Sequence, residues 1–290
     1  MSDYVLMTDS CCDLPAAMAE EMGLCVLPLT VYIENDRYFN YLDEREIAFS
    51  EIYARLRTKC PAKTSAVNMN DFLAAMEEIA RSGRDILYIG FSSGLSGTYN
   101  DGAAAAQEIA QRYPERKILT VDSLAASMGQ GLLIYHAWQK KRAGMDVEAL
   151  RDWVEQNRLK LCHWFTIDDL MFLKRGGRVS GATAVVGAML SIKPIMHVDN
   201  EGHLIKTGTA RGRKASLRAL ADEAEKRGVD LENQVIFISH GDCLEDANYL
   251  ADIMRSRFHV KDVVVNYVGP VIGAHSGPGT VALFFMGTER

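Results

Sequence analysis

The chain has 290 residues, 48% hydrophobic and 24% charged, with a formal net charge of −6. That length supports two cores of ordinary size and the composition is that of a globular protein. The acidic balance excludes a nucleic-acid binder, because no basic stripe is present to replace phosphate counterions.

Six cysteines at positions 11, 12, 25, 60, 162 and 243 form no C-x-x-C pair and no Cys/His metal spacing. Neither a metal site nor a disulfide framework is expected, and reduced thiols in a cytosol fit best. The first residues carry Asp3 and Asp9 and no basic region, and no apolar run reaches the ~18 residues of a membrane span. The expectation is a cytoplasmic protein without a transmembrane segment.

In chain order, Tyr4 to Thr8 is a strand, and Pro15 fits the first turn of a helix reaching about Met22. Leu24 to Ile33 is a second strand, broken at Pro28. Glu34 to Tyr41 is turn-like, and Glu44 to Arg57 has helical spacing at Ile47, Ile52, Tyr53 and Leu56. Cys60 to Ser65 is a loop carrying Thr64 and Ser65, and Asn68 or Asn70 caps a helix through Ala80.

Ile86 to Phe91 is an apolar run of β-formers, and Asp101 to Tyr113 an Ala-rich helix, so the stretch between them joins a buried strand to a helix start. Ser92, Ser93, Ser96 and Thr98 lie there with Gly94 and Gly97. One hydroxyl suffices to cap a helix; four hydroxyls and two glycines beside unpartnered N–H groups make a place that welcomes an anionic group.

Lys117 to Asp122 is the next strand. Ser123 to Ala143 is a long helix in which Gly129 and Gly131 imply close packing or approach by a ligand. Val147 to Lys160 is a helix. Alternation of strand and helix to this point predicts a parallel sheet covered on both faces.

From Leu161 the rhythm changes. Leu161 to Ile167 is a strand, Asp168 to Leu173 a helical turn, and Ser180 to Leu190 a helix. Ile195 to Val198 and His203 to Thr207 form a hairpin around Asp199-Asn200-Glu201-Gly202. Arg211 to Gly228 and Leu244 to Phe258 are helices. Gln234 to His240, Asp262 to Val268 and Val281 to Met286 are strands, and Gly269 to Thr280 is a glycine-rich loop. The expected class is therefore α/β with two α/β domains, residues 1–160 with a parallel three-layer sheet and residues 161–290 with a mixed sheet.

Gly90-Phe91-Ser92-Ser93-Gly94 matches G-x-S-x-G between a strand and a helix, and His275 comes late, so a serine esterase of α/β-hydrolase type using Ser92 and His275 is one reading. Against it, no HGG-type stretch supplies a second oxyanion donor, and the glycine turn continues through Leu95-Ser96-Gly97. The other reading is binding: in Gly273-Ala274-His275-Ser276-Gly277 the glycines let backbone approach a ligand to which the imidazole can hydrogen-bond.

Thr8-Asp9-Ser10 with Asp13-Leu14-Pro15, the Thr64-Ser65 turn, Ser92 to Tyr99, Val121-Asp122-Ser123, Leu173 to Arg178 and Gly273 to Gly279 together resemble the signature series of the DegV family. These are bacterial fatty-acid-binding proteins that serve as the lipid-presenting subunit of fatty acid kinase. The resemblance, from residue 4 to residue 287, implies a long-chain fatty acid buried between two α/β domains. It implies Thr64 and Ser93 on the carboxylate with Ser92 and His275 nearby, and Arg178 facing the partner kinase or the acyl phosphate. No cofactor, no metal and no catalytic residue of the chain's own is implied. The partners are the lipid and an ATP-dependent kinase subunit, with no nucleic acid and at most transient membrane contact. The family continues Thr-Ser with Gln-Pro-Ser, where this chain has Ala66, Val67 and Asn68. A tail of about fifteen methylenes at ~0.8 kcal/mol each contributes on the order of 12 kcal/mol before ordering costs, so the tail supplies affinity and the head group orientation.

Overall fold

The computed structural model describes residues 4–179 and 191–290, and the helix expected over 180–190 lies outside them. Strands β1 (Tyr4–Asp9), β2 (Cys25–Leu27), β6 (Asp85–Gly90) and β7 (Ile118–Asp122) form a four-stranded parallel sheet in the order β2-β1-β6-β7. All six residues of β1 and of β6 are buried, as expected for central parallel strands covered on both faces.

Pro28 divides two strands, not one: β2 stays in the parallel sheet while β3 (Thr30–Ile33) leaves it. β3 is the middle of a small antiparallel sheet with β4 (Asp36–Phe39) and β5 (Ala62–Ser65), in the order β4-β3-β5. Segments expected as turn and loop are thus strands. Their short, polar sequences carry little β signal, and long-range pairing with β3 imposes the conformation.

The remaining strands are β8 (Leu161–Thr166), β9 (Ile192–Val198), β10 (Leu204–Arg211), β11 (Val235–His240), β12 (Asp262–Tyr267) and β13 (Val281–Met286), in one mixed sheet ordered β10-β9-β8-β13-β11-β12. Only β11 and β12 are parallel neighbours; the other pairs are antiparallel, the expected β9–β10 hairpin among them. The chain therefore has the two-sheet α/β architecture, with one parallel and one mixed main sheet.

Helices α1 (Ala16–Glu21), α2 (Phe49–Arg57), α3 (Met69–Arg81), α4 (Thr98–Arg112), α5 (Met128–Arg142), α6 (Val147–Asn157), α7 (Leu170–Arg175), α8 (Arg213–Arg227), α9 (Leu244–Phe258) and α10 (Pro270–Ser276) cover these sheets. Asn68 caps α3 by accepting from the Asp71 N–H at 3.1 Å. α10 replaces part of the expected glycine loop; Pro270 at its first turn starts it where the missing N–H costs nothing.

α5 lies between the two main sheets. Met128 to Ile134 are buried all round the helix, and its Leu132 and Leu133 share one core with Leu6 and Leu87 of the first sheet and Phe165, Phe237 and Phe284 of the second. Close packing explains its glycines: a Cβ at Gly129 would stand 2.8 Å from the Phe284 ring, and one at Gly131 would stand 2.7 Å from the Cys12 carbonyl oxygen. Outer cores sit under α3 and α4 on one side and under α8 and α9 on the other.

Candidate functional site

The site forms where all three sheets meet. β5 brings Thr64 as an edge-strand residue paired with Val31, α10 brings His275, and the Thr64 Oγ1 to His275 Nε2 distance is 2.8 Å. These residues are 211 positions apart in sequence and make one hydrogen bond. Burial, with Arg178 nearby as a lesser cause, pushes the His275 imidazole down to about 4, so it is neutral at pH 7.

The pair opens onto a cavity of about 100 Å³, a narrow slot. Its walls are mainly apolar: Leu29, Phe91, Leu95, Ala126, Phe165, Leu173, Leu204, Val268, Val271, Ile272 and Ala282. A narrow, greasy enclosure ending in hydroxyl and imidazole groups suits an amphiphile with a long apolar body and a small acidic head. Ser96, Arg178 and Ser276 also border it. The Ser276 hydroxyl is buried without a partner among the described residues and stands next to His275 on α10, a donor that the glycine-rich appearance of this segment concealed.

Of the four hydroxyls after β6, only Ser96 lines the slot. Ser92 is fully buried, and its hydroxyl donates at 2.9 Å to the Gly202 carbonyl at the tip of the β9–β10 hairpin. It therefore faces away from the candidate head-group position and ties the two halves together. Ser93 is exposed and its backbone N–H donates to the Asp122 carboxylate at 3.3 Å. Ser96 and Thr98 share a hydrogen bond at 2.9 Å at the start of α4. The G-x-S-x-G reading has no geometric basis: among the described residues no hydrogen bond joins Ser92 to a histidine, and His275 is engaged with Thr64.

Arg178 borders the slot at the end of the basic segment after α7. Its Nε donates to the Leu95 carbonyl at 3.3 Å and its Nη1 to the Gly176 carbonyl. Lys174 and Arg175 are exposed. A Cβ at Gly176 would stand 2.3 Å from His275 Nδ1, so glycine lets this backbone lie flat against the imidazole. Ala66 faces the slot and Val67 is buried behind it. The departure from Gln-Pro-Ser thus places a methyl on the wall and leaves Asn68 to cap α3.

Beneath the slot is a buried polar relay that sequence spacing could not reveal. The Ser127 hydroxyl donates to Asp13 Oδ2 at 2.5 Å and shares a hydrogen bond with the Ser239 hydroxyl at 2.9 Å, and both serines line the slot. Ser127 adopts a φ of 54°, a conformation costly for a non-glycine residue, and these bonds hold it there. Burial pushes the Asp13 carboxyl up to about 8, against the opposing effect of the Ser127 hydroxyl. The native state therefore keeps this proton long after the unfolded chain, with an ordinary carboxylate, has lost it. Stability contributed by neutral Asp13 is full below pH ~4 and is lost as pH rises towards 8. Melting temperatures of wild type should accordingly fall between pH 5 and pH 9, by the equivalent of a few kcal/mol, and Asp13→Asn should flatten that slope. Equal slopes in the two proteins would show that Asp13 is charged throughout.

Cys11 and Cys12 are fully buried, and burial raises both thiols well above their ordinary value, so both stay protonated near neutrality. Among the described residues no cluster of histidine, cysteine and acid suits a metal, and no helix is long and apolar enough to cross a membrane.

Residues 4–288 match the family model described as "Uncharacterised protein, DegV family". A DegV domain-containing protein of Clostridium perfringens is 45% identical over 290 residues, covering 100% of this chain and 99% of the relative. One from Streptococcus pyogenes is 32% identical over 284 residues, covering 98% of each. Among solved structures, a fatty-acid-binding DegV family protein from Thermus thermophilus superposes with a TM-score of 0.86 at 30% identity, covering 99% of this chain and 100% of that one. DegV of Bacillus subtilis, described as a fatty acid binding protein, superposes with a TM-score of 0.83 at 26% identity, covering 99% and 100%. With a family match across nearly its whole length, close relatives of equal extent and the same two-sheet architecture, the chain belongs to the DegV family.

Proposed function

We propose that this protein binds a long-chain fatty acid in the slot, with its carboxylate at Thr64 and His275, and presents that carboxylate to a partner kinase. The observation that carries the reading is the single 2.8 Å contact between Thr64 and His275 at the polar mouth of an apolar enclosure. Ser276 adds a hydroxyl beside His275, and Ser96 adds another on the slot wall. Fatty-acid binding by the Thermus and Bacillus proteins supports the choice of ligand. For this purpose the chain divides into residues 1–160, which supply Thr64, and 161–290, which supply His275.

A neutral imidazole and hydroxyls orient a carboxylate without a full counter-charge, leaving its oxygen nucleophilic enough to react. In the complex one carboxylate oxygen would attack the γ-phosphorus of ATP, ADP would leave, and the acyl phosphate would remain in this chain's slot. Arg178 would face the kinase or the developing phosphate, and the meeting would take place in the cytoplasm.

Protein purified from a bacterial host should carry the added mass of a long-chain acid in native mass spectrometry. Thr64→Val and His275→Ala should each weaken stearate binding about 10- to 100-fold, the cost of one hydrogen bond to a charged group. Unaltered affinity in both would displace the head group from this end. With the kinase subunit and ATP added, hydroxylamine should trap acyl phosphate. Trapping without the kinase, or none with it, would refute presentation while leaving binding intact.

A further inference from the structure

The polar side chains on the slot wall fall into three groups. Those near Thr64 and His275 belong to the head-group end, and Ser127 and Ser239 satisfy one another beside Asp13. His163 belongs to neither. It is 4% exposed and lines the slot, and its Nδ1 is buried without a hydrogen-bond partner among the described residues. Its Nδ1 packs towards Gly129 of α5, where a Cβ would stand 3.5 Å away, which leaves Nε2 to meet the slot's contents. Its ring neighbours are Phe284 at 4.5 Å and Phe165 at 5.7 Å between centroids.

An apolar wall would be served better by phenylalanine, since an imidazole with no partner loses its hydration and gains nothing. Register indicates the depth along the sheet. His163 pairs with Phe284, three residues along β13 from Val281, the residue that follows the α10 connection, and three strand steps of ~3.3 Å come to about 10 Å. A group reaching Nε2 is therefore well beyond the first carbons of an acyl chain whose head lies at α10.

Resting on the fatty-acid reading above, we propose that His163 is a specificity-determining residue that makes the slot select long-chain acids bearing a mid-chain oxygen, a hydroxyl or a keto group. The imidazole can donate to either group through Nε2–H, and the other tautomer can accept from a hydroxyl. A site built to hydrogen-bond an oxygen disfavours the analogue lacking it, because the partner is then left unpaired.

The test compares dissociation constants for stearic acid and for stearic acid hydroxylated at carbons ten to twelve, with the 2-hydroxy acid as control. The ratio of stearic to mid-chain hydroxy affinity should shift at least 10-fold against the hydroxy acid in His163→Phe, while the 2-hydroxy ratio stays put. His163→Gln, which keeps a donor and an acceptor, should restore part of the preference. As a measurement needing no variant, the His163 imidazole ¹⁵N shift in wild type should move with the mid-chain hydroxy acid and not with stearic acid. Equal ratios in wild type and His163→Phe, or the same ¹⁵N shift with both ligands, would overturn the selectivity while leaving the lipid site standing. Failure of wild type to bind any of the three acids would overturn the lipid site itself, and the selectivity with it.

Discussion

Ala282→Leu is expected to empty the slot. Ala282 is 3% exposed on β13, between β8 and β11, with its methyl on the slot wall in the row Ser239–Ala282–Phe165. Three added carbons there would exclude about four methylenes of a bound chain, at ~0.8 kcal/mol each roughly 3 kcal/mol, or more than 100-fold in affinity. Native mass spectrometry should find the variant free of lipid, and stearate titration should show the loss. The thermal melt separates this from ordinary overpacking: a filled core would resist the larger side chain at ~1–3 kcal/mol, whereas an open slot accepts it with a melting temperature close to that of delipidated wild type. Retained lipid in a stable variant would mean that the tail runs elsewhere.

Asp9→Ala should be the most damaging single change to the fold. The Asp9 carboxylate is fully buried and accepts from the Cys11 N–H at 3.1 Å, the Phe91 N–H at 2.9 Å, the Tyr88 hydroxyl at 3.2 Å and the Gln130 side-chain amide at 3.3 Å. It joins the end of β1, the end of β6 and the start of α5 at one point. Burial raises its pKa to about 6, and the four donors hold it low enough to remain charged at pH 7. Removing the acceptor leaves several buried donors orphaned, against which loss of the carboxylate's own desolvation cost is a partial offset. A net loss on the order of 3 kcal/mol lowers the melting temperature by roughly 5 °C in a chain of this size. Phe91 is also a slot wall, so lipid retention should fall with stability. A melting temperature within a degree or two of wild type would show that the hub contributes little.

The strands and helices of the main sheets were legible because each has a strong local signal. β13 and α9 begin and end where their apolar periodicity does, and the Asn68 cap is a local hydrogen bond. What escaped was imposed from a distance. Cys60 to Ser65 and Glu34 to Tyr41 have loop-like sequences, yet β3 recruits part of each into a third sheet. Thr64 is consequently a strand residue, and the turn expected around it does not exist. The glycines around His275 suggested a loop, but Pro270 and packing against α2 and α7 make a short helix. At the serine turn, composition identified a special segment without saying which hydroxyl faced inward. Ser92 went to Gly202 and Ser96 to the slot, a division decided by the docking of a hairpin more than a hundred residues later. His163 and the Asp13–Ser127–Ser239 relay have no sequence motif, since strand alternation marks a face as buried and cannot mark it as bordering empty space.

Gly176 has a mechanical meaning beyond its fit. Its α-carbon rests on an imidazole that is itself held by Thr64, and its carbonyl accepts from Arg178 two residues on. Head-group clasp and basic segment are thus geared together, with no slack side chain between them. A protein gripping that segment from outside would have its fingers on the same lever that a carboxylate bound at the pair would push from within.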